Sequence, residues 1–301
     1  MELIVHLGVH RTGSTSFQAS LASNRGILRA EGIALWTPQV VRQMAGFSKT
    51  VMMVRGGQAP ALKMMLAREC AQLQSDGIRQ LLISEENIIG TMEANLRRAS
   101  LYPDATERLQ AYAQILPVAP KRIAIGVRNL IDYWVSVYGY VLDTAKALPQ
   151  PFDKLAPRLA QAGGWLPLIE TVRHVFPNAE IVVWPMEERA HQPLKNACEV
   201  MGRATGHTGL RGKKIFRNKG LRPEVFGMAH ALRAQTPGLT QKALQDALTK
   251  ALDARDPDAN LPQMVFFNPA QRAALGAQYA ADLAQLAQGH AGAVLWSGNR
   301  A

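Results

Sequence analysis

The chain predicts an α/β fold, a single domain built on a mostly parallel β-sheet flanked by helices. Three observations carry this. Short apolar runs alternate with long helical patterns, the arrangement that parallel strands joined by crossover helices require. Most of those runs end in polar or charged residues, where such sheets bind ligands beyond the carboxyl ends of their strands. No linker, internal repeat or low-complexity tract divides the 301 residues, so one domain over 1–301 is expected.

The elements follow in order. Leu3-Ile4-Val5-His6-Leu7 runs apolar into Gly8 and reads as a buried strand. From Ser14 to about Ala30, Phe17, Leu21, Ile27 and Leu28 keep helical spacing. Residues 36–60 carry Pro38, Gly46, Gly56, Gly57 and Pro60 and read as a long excursion with short helices. A helix is expected over 61–74, then a second strand over 80–84 that runs into Glu85-Glu86-Asn87. Asp104 suits the N-cap of a helix that reaches Leu116 and closes at Pro117. A third strand over 122–127 ends at Arg128. The helix expected over 132–147 places Tyr133, Trp134, Tyr138 and Tyr140 at core spacing. Residues 165–176 read as helix and 180–184 as a fourth strand. The remainder is mostly helical, near 187–203, 223–235, 240–253 and 269–287, interrupted by a basic loop at 206–222.

Composition narrows the function classes. With 48% hydrophobic and 19% charged residues the chain has the balance of a soluble globular protein. No apolar run approaches a membrane span. The acidic start lacks the basic region and cleavage site of a signal peptide, and a cytoplasmic location is expected. Cys70 and Cys198 lie in apolar-periodic stretches and read as buried free thiols. The net charge of +11 favours a polyanionic partner: nucleic acid, an anionic glycan or a highly phosphorylated small molecule. Nucleic acid is the least supported, because the cations do not interleave with aromatics in any recognisable module.

The first motif is Gly8-Val9-His10-Arg11-Thr12-Gly13-Ser14-Thr15-Ser16. A strand, a glycine-bracketed loop and a helix start form an anion cradle, in which backbone N–H groups face a phosphate. Gly8 and Gly13 permit close approach, Thr12, Ser14, Thr15 and Ser16 offer hydroxyls, and Arg11 offers a fixed cationic fork. A plain strand-to-helix turn capped by Ser14 or Thr15 is the alternative. The loop is not a Walker A sequence, since Ser14 stands where its lysine belongs. The second motif is Arg128-Asn129-Leu130-Ile131-Asp132, followed by Ser136 and Tyr138. Arg128 closes a strand and Ser136 lies a turn or so into the next helix, so both could reach one phosphate. A surface arginine and an unrelated helix serine would give the same pattern.

Together the two segments resemble the signature elements of the sulfotransferases that use 3′-phosphoadenosine 5′-phosphosulfate (PAPS). In that family a loop of the form K-x-G-T-T holds the 5′-phosphosulfate, and a later R-N-P-x-D-x-x-x-S-x-Y unit holds the 3′-phosphate. Arg11-Thr12-Gly13-Ser14-Thr15 matches the first. Arg128-Asn129-x-x-Asp132-x-x-x-Ser136-x-Tyr138 matches the second, with its Arg-to-Ser spacing kept. The resemblance covers about the first 140 residues. It implies a P-loop-like sulfotransferase fold, PAPS as co-substrate with no metal, and an acceptor hydroxyl or amine. The flanks resemble bacterial members, including ones that act on glycans, which makes a carbohydrate a candidate acceptor. Arg11 replaces the family's loop lysine: it can balance charge but will not give up a proton near neutral pH. Leu130 replaces a proline whose main effect is to fix the backbone entering the helix.

The resemblance also implies a general base. In members that act on sugars, a glutamate near a comparable strand end often takes the acceptor's proton, which points to Glu86 or Glu85 with preference for Glu86. Solvated carboxylates capping a helix that starts near Asn87 are the alternative. A late basic segment closes over the nucleotide in the family, and Arg217, Lys219 and Gly220 are the local candidates for it. His10 is close enough to Arg11 to touch the phosphosulfate or acceptor, whereas His6 reads as a packing residue. Two other functions fit the same sequence: a P-loop-type kinase or nucleotide hydrolase, and a non-catalytic anion binder of sulfotransferase-like form.

Overall fold

The computed structural model describes residues 1–189, 191–203, 209–211, 221–253 and 266–296. Strands β1 (Glu2–Gly8), β2 (Ile33–Trp36), β3 (Gln80–Ser84), β4 (Arg122–Val127), β5 (Glu180–Pro185) and β6 (Ala293–Leu295) form one sheet in the order β2-β3-β1-β4-β5-β6. Every pairing is parallel. The architecture is therefore the α/β class that the alternating sequence predicts, consistent with a P-loop-like fold.

A parallel sheet is covered on both faces, so its strands read as nearly continuous apolar runs. Alternate residues of each strand serve opposite faces. Ile4, Leu82, Ala124 and Val182 pack with Phe17 and Leu21 of α1 (Ser14–Ser23). On the other face Val5, Ile83, Ile125 and Val183 join a larger core. Helices α2 (Ala59–Ser75), α3 (Met92–Arg98), α4 (Ala105–Ile115), α5 (Leu130–Thr144), α6 (Phe152–Leu159) and α7 (Leu166–Val175) contribute to that second core. Helix α8 (Pro193–Val200) packs against α1, and α9 (Pro269–Ala287) packs against α5 and β6. No helix among the described residues is long and apolar enough to cross a membrane.

The strand order determines where a ligand can enter. From β1 the chain departs toward β2 on one side, and from β4 it departs toward β5 on the other. The connections diverge beyond the carboxyl ends of these adjacent strands and leave a crevice between them. The loop that follows β1 and the segment that follows β4 both open there.

Several expectations are corrected. β2 and β6 are strands that the apolar pattern did not separate from their surroundings. The helix expected over 14–30 breaks at Asn24, whose side chain donates to Ser20 O at 2.8 Å and accepts from Arg211 N at 2.8 Å. An Asn side chain that satisfies backbone groups in this way competes with helix continuation. Asp104 occupies the N-cap of α4, but its carboxylate takes Arg98 at 2.6 Å and makes no cap bond. The helix expected over 187–203 is split, with Pro193 opening α8.

Candidate functional site

The site begins in the backbone of β1. Its pairing with β4 slips between His6 and Gly8, and the chain then turns through left-handed positions at Gly8, Val9, Arg11 and Gly13, with φ of 75°, 62°, 66° and 82°. For Val9 and Arg11 such a conformation costs about 1–3 kcal/mol each, so neighbouring contacts must impose it. Val9 N donates to Leu7 O at 3.1 Å, and the Thr12 hydroxyl donates to Val9 O at 2.7 Å. Gly8 is required for a further reason: a Cβ there would lie 2.9 Å from Glu86 Cβ.

Gly13 is the N-cap of α1, with no side-chain cap, so neither Ser14 nor Thr15 caps as the plain-turn alternative expected. Among the described residues no acceptor meets the backbone N–H groups of Arg11, Thr12, Gly13 and Ser14. Open N–H groups and the positive end of a helix dipole thus share one place.

The two motifs meet over this loop. Arg11 Nε donates to Ser136 Oγ at 2.7 Å, and Arg128 Nη1 donates to Arg11 O at 2.9 Å. The Arg11 guanidinium also sits 5.9 Å from the ring centre of Tyr140. Burial, and the nearby Arg128, pull Arg11 below its ordinary value, but an arginine stays cationic. Arg128 is lowered by burial, against the pull of Asp132 and Glu187. Its backbone is fixed from behind: Trp165 Nε1 donates to Arg128 O at 2.8 Å, and Trp165 N donates to the buried Asp282 at 2.6 Å. Asn129 caps α5 by accepting from Ile131 N at 3.0 Å. That cap sets the helix entrance, and Leu130 is buried beside it.

The paired carboxylates separate cleanly. Glu85, 3% exposed, holds Arg42 through two hydrogen bonds of 2.9 and 2.8 Å and accepts from Asn87 N at 3.0 Å. It caps the turn Glu86–Ile88, as the capping alternative expected, but it is buried rather than solvated, and its oxygens are taken. Glu86 instead lines the cleft. One of its oxygens accepts from Gln18 Nε2 at 2.9 Å and the other from Arg42 at 3.1 Å. Burial pushes the Glu86 carboxyl up, but the Gln18 amide, a backbone hydrogen bond and Arg42 pull it down, and it lies below the usual range.

His10 is buried beside Glu86. Its Nε2 lies 3.2 Å from Asn87 Oδ1, which can only accept, so Nε2 carries the proton. Nδ1 then accepts from the Tyr102 hydroxyl at 2.9 Å, and that hydroxyl accepts from His10 N at 2.9 Å. Burial drives the His10 ring downward, against the pull of the Glu86 carboxylate. His6 packs as expected: 1% exposed, with Nδ1 2.8 Å from Ser84 Oγ and its ring against Phe17 and Trp184. Burial pushes it down to about 3.

The loop, the end of β3 and α5 enclose a cleft of 440 Å³ whose walls include His10, Arg11, Ser14, Thr15, Arg42 and Glu86. Gly8 and Gly13 act through backbone alone. Thr12 turns its hydroxyl back into the loop, so it supports the loop backbone rather than facing the cleft. Ser16 is absent from the cleft wall. Arg217, Lys219 and Gly220 lie outside the described residues. Sequence reasoning missed Gln18, Arg42, Asn87 and Tyr102 as site residues, and it assigned Tyr140 to the core although that ring reaches the cleft beside Arg11. Gln18 alone had a signal, since it follows the loop by one helical turn. Comparison of the chain with protein-family models, curated proteins and solved structures finds no match. The class that the fold and site define is an α/β protein with a strained, glycine-bracketed loop at the switch point of a parallel sheet.

Proposed function

We propose that the chain is a PAPS-dependent sulfotransferase, the family its two motifs resemble. The observation that carries this reading is the direct contact of those motifs, made by residues 125 and 117 positions apart. A strained loop with open N–H groups suits the 5′-phosphosulfate. Arg128 and Ser136, brought to the same crevice, suit the 3′-phosphate and would select PAPS over nucleotides that lack it.

The cleft supplies what transfer requires. The acceptor oxygen or nitrogen attacks sulfur in line, and the bond from sulfur to the 5′-phosphate oxygen breaks. The electron pair stays on that oxygen as 3′-phosphoadenosine 5′-phosphate departs. Arg11 and the loop N–H groups balance the charge that develops there. Glu86 takes the acceptor's proton, with Gln18 and Arg42 fixing its orientation. Glu85 holds Arg42 in place and does not take part in proton transfer. The acceptor is a hydroxyl or amine compound, with a carbohydrate among the candidates.

A thermal-shift series tests this directly. 3′-Phosphoadenosine 5′-phosphate is expected to raise the melting midpoint at concentrations where adenosine 5′-phosphate has no effect, by the stabilisation that ligand binding confers. Equal shifts with the two nucleotides would overturn the assignment.

A further inference from the structure

A second cavity, of 600 Å³, adjoins the cleft. Glu93 of α3 lines both, and α5 runs past both, offering Tyr140 to the cleft and Val141 and Thr144 to the cavity. From Glu93 to Arg97, and from Tyr140 to Thr144, is one helical turn, about 6 Å of rise. One ligand can therefore occupy the two spaces together. A volume of this size is in the range of small-molecule sites, roughly 300–1,000 Å³.

The cavity differs from the cleft in character. Its floor is apolar, formed by Leu96, Val141, Ala145 and Leu155, all buried. Its rim carries three exposed cations, Arg97, Lys146 and Arg158. No carboxylate among the described residues lies within ion-pair distance of any of them. The contrast with Arg98 next door is direct, because Arg98 is paired with Asp104. Arg158 Nη2 donates to Arg97 O at 3.3 Å, which brings α6 and its guanidinium to the end of α3. An apolar floor beneath unpaired cations is complementary to a molecule with an apolar body and an anionic head. A bare sugar would leave that floor in contact with polar groups.

We propose that this cavity is the acceptor's anchoring subsite and that it takes an amphipathic anion. The apolar body lies over Leu96, Val141 and Leu155, and a carboxylate or sulfate meets the basic rim. The reactive hydroxyl extends past Glu93 into the cleft beside Glu86. The inference rests on the reading of the cleft as the site of transfer.

The probe is 12-hydroxydodecanoate, titrated calorimetrically into the full chain below the concentration at which it forms micelles. Saturable binding with one site is expected, and with the same affinity when the protein is saturated with 3′-phosphoadenosine 5′-phosphate. The double variant Lys146→Glu/Arg158→Glu should bind the probe at least tenfold more weakly but retain its affinity for uncharged 1,12-dodecanediol. Ala147→Trp, at an exposed position of the lining, should remove binding of both. Absence of saturable binding, insensitivity to both variants, or displacement of the probe by the nucleotide would overturn the proposal. Failure of the wild-type protein to bind the nucleotide would overturn the transfer reading instead, and the probe titration alone reports on the cavity.

Discussion

The two edges of the sheet handle charge and strain in opposite ways. At the amino edge, Lys121 pairs with Glu2 and Arg122 with Glu180, and Arg122 also donates to Glu199 O and Val200 O at 2.9 Å. The left-handed positions that lead into β2 and β3 are glycines, Gly32 and Gly77. At the carboxyl edge the left-handed positions include Val9 and Arg11, and Arg11 and Arg128 meet neutral partners, a hydroxyl and a carbonyl. Strain and uncompensated charge concentrate where backbone N–H groups lie open. The amino edge closes the fold, and the carboxyl edge is where the proposed function places its anion.

Perturbing the carboxyl edge should therefore change function, and the largest effect is expected at Glu86. Glu86→Gln should lower the transfer rate by roughly 10²–10⁴-fold, the usual contribution of a general base, with nucleotide affinity retained. Single-turnover kinetics alongside a nucleotide titration checks both halves. Glu85→Gln should behave differently, costing about 1–3 kcal/mol of folding stability through the lost Arg42 contact, as read by urea denaturation.

His6, beneath the same edge, predicts the pH response. Its proton is held less tightly in the folded chain, with a value near 3, than in the unfolded chain, where 6.5 applies. Stability is then fully present above pH 6.5 and declines as pH falls from 6.5 toward 3, because the unfolded state takes up the proton first. The total is on the order of 5 kcal/mol, and His6→Gln should flatten the dependence of the urea midpoint across that window. A smaller effect is expected from Arg128→Ala, which should weaken binding of 3′-phosphoadenosine 5′-phosphate by roughly 1.5–3 kcal/mol, the value of a hydrogen bond to a charged group. The smallest belongs to the amino edge. Lys121→Ala should cost less than about 1 kcal/mol in denaturation and leave nucleotide binding unchanged, since its ion pair is exposed.

Much of the carboxyl edge was legible in the sequence. β1, β3, β4 and β5 are continuous apolar runs because both faces of a parallel sheet are buried, and their ends marked Arg11, Glu86 and Arg128. β2 and β6 were not legible, because four and three residues are too short to show a period. The division of labour between Glu85 and Glu86 was hidden for another reason. It depends on Arg42, which comes from an excursion without periodicity and reaches the β3 end only in three dimensions. The Tyr102 contact to His10 spans 92 positions and left no local trace. Tyr140 kept the helical spacing of its buried neighbours but stands where α5 turns from core to cleft.

Under the proposed function, the crevice between β1 and β4 recognises a nucleotide by its 3′-phosphate, through residues that meet only when the sheet forms. Calorimetric titration of the wild-type chain and Arg128→Ala with 3′-phosphoadenosine 5′-phosphate and with adenosine 5′-phosphate tests it most directly. The wild-type chain is expected to prefer the 3′-phosphorylated nucleotide strongly, and Arg128→Ala to lose most of this preference. Equal affinity of the wild-type chain for the two nucleotides, or a preference that survives in Arg128→Ala, would contradict it.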